Sequence, residues 1–242
     1  MSIELLIVVL FCMVVQNMFG VGILVFGTPI LLGLDYDLLE ILGMLLPSSL
    51  LVSLLQVQTL KNAALPNSKS FVHSIFGVLL GAALLLFFTV PVFVYVLTAI
   101  AMLMAGCLRL NNNLRTSVGS LLARPWLKFY FWNGFFHGFS NLGGILLVLK
   151  NSLDTFDKRQ ALKNTASIYI IYMLSQIVVI CLSGNYRLLF EGLVVAPIVA
   201  TFSFVLGNRP LVFFSMQFMD NALGVFFVSV SAVLFYKVSL LI

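Results

Sequence analysis

Long apolar segments follow one another along almost the whole chain, separated only by short polar intervals. Of the 242 residues, 62% are hydrophobic and only 9% are charged, whereas a soluble domain carries about 25% charged residues. A chain of this composition has too few polar side chains to cover a surface that faces water. Because about 20 apolar residues in a helix match the thickness of a bilayer, the sequence predicts an all-α, polytopic membrane protein.

The apolar segments form two halves with the same layout, residues 1–108 and 126–242, joined by a basic cytoplasmic loop at 109–125. The first half has a glycine-broken segment at 3–34 and spans at 38–60, 71–88 and 92–108. The second half has a broken segment at 126–150 and spans at 162–182, 188–206 and 211–238. Alignment of Gly22 with Gly143 gives an offset of 121 residues and also aligns Gln16 with His137. Internal duplication of this kind is typical of transporters.

The two breaks distinguish their segments from ordinary helical spans. They read Asn17-Met18-Phe19-Gly20-Val21-Gly22 and Ser140-Asn141-Leu142-Gly143-Gly144. Glycine allows a helix to stop and restart, and a restarting helix presents backbone N–H groups and the positive end of its dipole. In soluble proteins such a helix start often binds an anion. The alternative is that these are packing glycines within continuous helices, since glycine is common in transmembrane helices.

The basic residues indicate whether the broken segments cross the membrane. If both cross, the 13 lysines and arginines divide 8 to 5 between the two sides, but if both re-enter on their own side, they divide 11 to 2. The positive-inside rule favours the second arrangement. Each half then has one re-entrant hairpin and three crossings, so the halves are inverted repeats and both termini face outside. Against this, residues 3–19 alone are nearly long enough to cross.

The residues around each break resemble a known signature. The first stretch is Phe19-Gly20-Val21-Gly22-Ile23-Leu24-Val25-Phe26-Gly27-Thr28-Pro29-Ile30-Leu31-Leu32, and the second is Gly138-Phe139-Ser140-Asn141-Leu142-Gly143-Gly144-Ile145-Leu146. They resemble the paired boxes of the TauE/SafE sulfite exporter family, with fewer glycines and with no proline at 147–150. The resemblance implies a permease of the bacterial inner (plasma) membrane, in which the outward-facing termini predicted from the basic residues would lie in the periplasm. It also implies a substrate such as sulfite, a sulfonate or a related organosulfur carboxylate.

The polar residues at the breaks are the candidate site for such an anion. An anion that enters hydrocarbon must exchange water for hydrogen-bond donors, because a buried, unpaired charge is costly. We expect it to bind near the middle of the membrane, in contact with Asn17, Gly20, Gly22, Ser140, Asn141, Gly143, Gly144, Gln16 and His137. No lysine or arginine lies deep within a span, so binding is expected to be weak and reversible.

Other polar residues have a structural role as their first interpretation. Helix–helix hydrogen bonds are expected for a set at the starts of adjacent segments: Thr28, Ser48, Ser49, Thr165 and Ser167. Similarly, Gly77 and Gly81 lie four apart in the third segment, a spacing that favours close helix packing.

Two titratable residues in apolar segments are candidates for proton coupling. His137 can act as a pH-sensitive proton carrier, or it can simply donate a hydrogen bond to a neighbouring carbonyl. Asp220 lies well inside the last span, where a carboxylate is a functional candidate unless it forms an interhelical pair. No nucleotide-binding motif occurs, so we expect transport down a gradient without a cofactor or a bound metal.

Functions other than transport are also compatible with the sequence. Ser140 with His137 or His73 would form an intramembrane hydrolase if the base reached the nucleophile, but no catalytic motif such as GxSxG or HExxH accompanies them. A non-transporting assembly protein is a further alternative. The favoured interpretation is a non-enzymatic permease whose partners are the small anion and the lipid bilayer, with no nucleic acid and with a homo-oligomer left open.

Overall fold

The chain is helical throughout the part that the computed structural model describes, which is residues 3–19, 21–60, 64–87, 91–122, 127–155, 157–206 and 216–241. No strand occurs within these ranges. The α-helices are α1 (Ile3–Phe19), α2 (Ile23–Gly33), α3 (Leu38–Thr59), α4 (Ser68–Phe87), α5 (Pro91–Leu110), α6 (Asn112–Leu122), α7 (Leu127–Ser140), α8 (Gly144–Asp154), α9 (Lys158–Leu182), α10 (Leu189–Leu206) and α11 (Met216–Leu241).

Six of the helical segments are long and apolar enough to cross a membrane. They contain 19 to 25 residues each and are Leu38–Thr59, Ser68–Leu86, Val92–Leu110, Lys158–Leu182, Tyr186–Leu206 and Asn221–Leu241. They correspond to the six unbroken spans that the hydropathy predicts. The protein is therefore a helical, multi-pass membrane protein.

Both predicted broken segments consist of two helices. Helices α1 and α2 occupy residues 3–34, and helices α7 and α8 occupy 126–150 and continue for four residues beyond it. The interpretation of the breaks as glycines within continuous helices is therefore wrong. Helices α2 and α8 both have 11 residues, and their starts and ends are separated by the same 121 positions that the glycine alignment predicts.

Within the basic segment predicted as a cytoplasmic loop at 109–125, residues 112–122 form the helix α6, and the location of this segment stays a prediction. The side chain of Asn111 caps this helix: its Oδ1 accepts hydrogen bonds from the N–H groups of Asn113 at 3.0 Å and Leu114 at 3.2 Å. An N-cap of this type satisfies donors that a helix start leaves without partners. The cap favours a helix here, and hydropathy does not detect it.

Facing glycines bring α4 and α7 into close contact. Gly77 and Gly81 of α4 lie against the α7 backbone, and Gly134 and Gly138 of α7 lie against the α4 backbone. A Cβ atom at Gly134 would stand 2.8 Å from the carbonyl oxygen of Ser74, so larger residues would push the helices apart. The prediction of a close-packing glycine pair in the third segment is confirmed.

Helices α3 and α9 form the centre of the fold. They contact each other, and each also contacts the second arm of the broken segment that precedes it, α2 for α3 and α8 for α9. In their most apolar stretches, 56% of α3 and 61% of α9 is buried, compared with 28–39% in the other four long helices. Polar side chains on α3 and α9 are therefore the ones that can reach the two breaks.

Candidate functional site

Gln16 is fully buried at the first break, and its side-chain amide is hydrogen-bonded to residues of α2 and α3. Its Oε1 accepts from the N–H of Ile23, the first residue of α2, and from Ser49 Oγ, both at 3.0 Å. Its Nε2 donates to the Ser49 carbonyl at 2.9 Å and to Ser53 Oγ at 3.0 Å, and its carbonyl accepts from Gln56 Nε2 at 2.6 Å. The amide of Gln16 is thus occupied within the protein, where it caps α2.

Gly22 and Gly143 are required because the chain passes very close to the preceding helix. A Cβ atom at Gly22 would collide with the backbone of Cys12 and Gln16 in α1. A Cβ atom at Gly143 would lie 2.6 Å from the carbonyl oxygen of Asn133 in α7. In both cases the glycine touches the residue ten positions before it, so the chain turns back beside the helix it has just left.

Asn17 connects the first broken segment to α10. Its Oδ1 accepts a hydrogen bond from Ser203 Oγ at 2.7 Å, and its Nδ2 lies 3.5 Å from the Ser203 carbonyl and 3.5 Å from the sulfur of Met13. The structure therefore places Asn17 against the C-terminal half of the protein, in contact with a helix other than those of the second break.

Asn141 terminates α7 and links the two broken segments. Its backbone has a φ of +67°, in the left-handed region that asparagine tolerates better than most residues. Its N–H donates to the His137 carbonyl at 2.7 Å, and its side-chain Nδ2 donates to Thr28 Oγ1 on α2 at 2.7 Å. Gln176 Nε2 on α9 lies 3.5 Å from the Asn141 Oδ1.

Gly144 supplies a second contact between the two breaks. A Cβ atom there would lie 2.8 Å from Val25 Cγ2 and 3.1 Å from Val21 Cγ1, as well as 3.1 Å from the ring of Tyr169. Together with the bond between Asn141 and Thr28, this packing sets the start of α8 directly against α2. Gly144, Asn141 and the residues after Gly22 are thus neighbours in space.

A buried polar cluster surrounds His137, which is itself fully buried. Its imidazole stacks on the ring of Tyr172, with centroids 4.6 Å apart, and meets the ring of Tyr169 at 5.1 Å. Within the described ranges neither imidazole nitrogen has a hydrogen-bond partner, and the same is true of Tyr169 OH, Asn133 Oδ1 and Gln176 Oε1. Buried polar groups nearly always have a partner, so this cluster has hydrogen-bonding capacity for a polar ligand.

Sequence reasoning included His137 in the site but missed the residues that α9 adds to it. Tyr169, Tyr172 and Gln176 occur at spacings of three and four within a long apolar span, which places them on one helix face. That pattern was the available signal. Among the predicted helix–helix hydrogen bonds, those of Thr28, Ser49 and Thr165 are confirmed. The hydroxyls of Ser48 and Ser167 have no hydrogen-bond partner among the described residues, so the prediction is wrong for them.

Three predicted residues remain. Ser140 contacts neighbouring residues, whereas Gly20 and the side chain of Asp220 lie outside the described part of the structure. Ser140 Oγ donates to the Phe136 carbonyl at 2.7 Å, within its own helix, and accepts from the Leu142 N–H at 3.3 Å. Gly20 lies outside the described residues. For Asp220 the helical backbone is described but the side chain is not, so its predicted role in proton coupling stays a prediction.

One open cavity among the described residues lies away from the breaks. Its volume is 610 Å³, and it is lined by the loop between α2 and α3 together with residues of α4, α5 and the end of α11. Within it, Lys237 forms an ion pair with Asp35. Because α2 is 11 residues long, this cavity and the start of α2 are separated by about 15 Å.

Neither protein-family models, nor curated proteins, nor solved structures include a match to this chain. The resemblance to the TauE/SafE boxes therefore stays a prediction. What the fold and the breaks define is the class: a multi-pass, helical membrane protein with two interrupted helical segments that touch each other.

Proposed function

We propose that this protein is a secondary transporter built from two inverted repeats, with its binding site where the two broken segments meet. The observation that carries the proposal is the contact between α2 and the start of α8, made by Thr28 with Asn141 and by Val25 with Gly144. Interrupted helices that meet in the interior, one from each inverted repeat, are a recurring transporter design. In a membrane, non-helical backbone is tolerated where it is buried in protein or lines a cavity.

The equal spacing of the helices supports the repeat. Helices α2 and α8 start and end 121 positions apart, and Gly22 and Gly143 each pack against the residue ten positions earlier. The turn of the chain beside α1 and beside α7 supports a hairpin in each half. With two hairpins and six crossings, 11 of the 13 basic residues fall on the cytoplasmic side, which agrees with the positive-inside rule.

The substrate class that we favour is a small anion such as sulfite, a sulfonate or a related carboxylate, carried across a bacterial inner membrane. The start of α8 offers backbone donors and a helix dipole, an effect of about 0.3–1 kcal/mol at exposed sites and up to about 2 kcal/mol when partly buried. Gly143 and Gly144 lie at this helix start, whereas Ser140 and Asn141 lie at the end of α7 and His137 in its last turn. Gln16 and Asn17 are bonded within the protein, so we assign them to holding the first break in shape.

Uptake by proteoliposomes tests this function directly. The purified protein is reconstituted, and uptake of sulfite, thiosulfate, sulfoacetate, methanesulfonate, taurine and acetate is compared with that of protein-free liposomes. We expect saturable uptake of at least one anion, and the same anion should raise the thermal unfolding temperature of the protein in detergent. A folded, reconstituted protein that transports none of them would overturn the proposal.

The inverted arrangement makes a separate prediction about topology. In a variant without native cysteines, single cysteines at Lys69, Ser120 and Asp157 should all react only from the cytoplasmic side, because both broken segments re-enter. If position 157 reacts from outside while position 120 does not, the second broken segment crosses and the inverted-hairpin arrangement is wrong.

A further inference from the structure

Among the described residues, the polar cluster at the second break has no charged side chain to balance an anion. The groups that meet His137 are Tyr169, Tyr172 and Gln176 from α9, all of them uncharged at neutral pH. Asn133 precedes it by one turn on α7 and bonds Tyr172, while α4 brings Ser74 and Val78 beside the glycines of α7 and α2 brings Thr28 to Asn141.

The nearest charged groups on these helices lie farther along them. On α8, Lys150 forms an ion pair with Asp154. On α9, Lys163 is six residues before Tyr169, which corresponds to about 9 Å along the helix. An anion bound at the start of α8 would therefore bring a net negative charge into a buried site, and a buried charge without a counter-charge is strongly disfavoured.

We propose that the anion binds together with one proton, which is held on His137, so that each substrate crosses as an electroneutral pair. This inference rests on the proposed transport function. The substrate class that it defines is a monovalent anion that takes a proton with it from the same side of the membrane.

The free atoms of the cluster suit an imidazolium ion. A neutral imidazole donates one hydrogen bond and accepts one, whereas the protonated ring donates two. One N–H can then contact the anion, and the other can donate to an acceptor of the same cluster, where Asn133, Gln176 and Tyr169 each have an oxygen without a partner among the described residues. Protonation of His137 thus supplies both the missing positive charge and a donor for the unpartnered acceptors.

The first break lacks this ability. Gln16, which occupies the aligned position, has no titratable group, and its amide is bonded to Ile23, Ser49 and Ser53. Of the two aligned residues, His137 is therefore the one that can carry a proton, and one proton on its ring corresponds to one proton per anion. In charge balance, the proton enters from water onto a ring nitrogen, the anion enters beside it, and both leave to the opposite side, so that no net charge moves.

The test uses methanesulfonate, which stays singly charged throughout the pH range and so cannot itself supply the proton, alongside whichever panel anion is taken up fastest. With the membrane potential clamped at zero, a gradient of one pH unit, alkaline inside, should drive about tenfold accumulation. A membrane potential without a pH gradient should have no effect, and a pH dye in the lumen should report acidification during uptake. Uptake that responds to the potential and carries no proton would overturn the inference while leaving the proposed transport function intact.

The matched variant is His137→Gln, which gives the second break the same residue type that Gln16 provides at the aligned position of the first break. It should lose accumulation driven by the pH gradient, and the substrate should stabilise it less than it stabilises the wild type in a thermal-shift assay. The mirror variant at an uncharged neighbour, Tyr169→Phe, should retain proton coupling with weaker apparent affinity. Unchanged accumulation in His137→Gln overturns the role of His137. If that variant does not fold, the proton and potential measurements on the wild type decide alone, and lack of saturable uptake of every panel anion removes both proposals.

Discussion

The two breaks of this protein have a closely packed glycine and an 11-residue helix at corresponding positions, but they differ in hydrogen bonding. In each, a glycine packs against the helix that precedes it, and an 11-residue helix follows. At the first break, the side chain six residues before this glycine, Gln16, is bonded to α2 and α3 through both ends of its amide. At the second, His137 occupies the aligned position with neither nitrogen bonded to a described residue.

This difference shows that the two copies of a duplicated element can have different roles. Close glycine packing is needed in both copies because it lets the chain turn. The polar side chain at the turn is needed for packing in only one copy, where it caps α2 and joins it to α3. The second copy is then free to keep buried polar groups for a ligand, which is the role that we propose for it.

The largest expected effect, a complete loss of transport, comes from a large side chain at the shared glycine position. Leucine at Gly22 or Gly143 should abolish uptake, and even Gly22→Ala or Gly143→Ala should lower stability by about 1–3 kcal/mol, as overpacking does. Gly33→Ala is the matched control, because a Cβ atom there meets nothing within 4 Å. Thermal unfolding of the three alanine variants measures this, and similar unfolding temperatures for all three would show that the close approach at the breaks is unimportant.

The next prediction concerns the stability lost when each of the two aligned polar residues, Gln16 and His137, is replaced by methionine. Gln16→Met keeps the volume but leaves Ile23, Ser49 and Ser53 without their partner, so we expect a loss of about 2–4 kcal/mol. His137→Met breaks no hydrogen bond of the imidazole with a described residue and should cost less than about 1.5 kcal/mol, as volume-conserving swaps do. Reversible unfolding in mixed micelles provides the measurement, and a larger loss in His137→Met would contradict the difference between the breaks.

A smaller effect is expected at Asn141, whose backbone has the left-handed conformation. Asn141→Ala and Asn141→Gly both remove the bond to Thr28, but only alanine is strained at this φ, by about 1–2 kcal/mol. The glycine variant should therefore be more stable than the alanine variant by about that amount. Both variants should show weaker apparent affinity for the substrate, and equal stability of the two would indicate that the turn relaxes.

The smallest effect is expected at the bridge between the breaks, which is the hydrogen bond from the Asn141 side chain to the Thr28 hydroxyl. Thr28→Val keeps the shape but removes the acceptor of the Asn141 side chain, which should cost about 1 kcal/mol, whereas Thr28→Ser keeps the hydroxyl and should resemble the wild type. If valine weakens transport more than it weakens folding, the bridge contributes to the site. Equal unfolding temperatures and equal uptake for both variants would show that it does not.

The sequence by itself determined the helical membrane class, the six long spans and both breaks. These follow from local properties, namely the length of an apolar run and the freedom of glycine, and therefore need no knowledge of the packing. The same local reasoning missed α6, because the cap that Asn111 provides at its start lies within a segment whose composition resembles a loop.

Only the tertiary structure decided which buried polar residues have hydrogen-bond partners among the described residues and which do not. Gln16 meets its partners on α3 more than 30 residues away, and Thr28 meets Asn141 across 113 positions. The alignment of Gln16 with His137 was visible in the sequence, yet nothing in it distinguished their roles. That distinction depends on which side chains of α3 and α9 face each break, and it is the packing of these central helices that sets it.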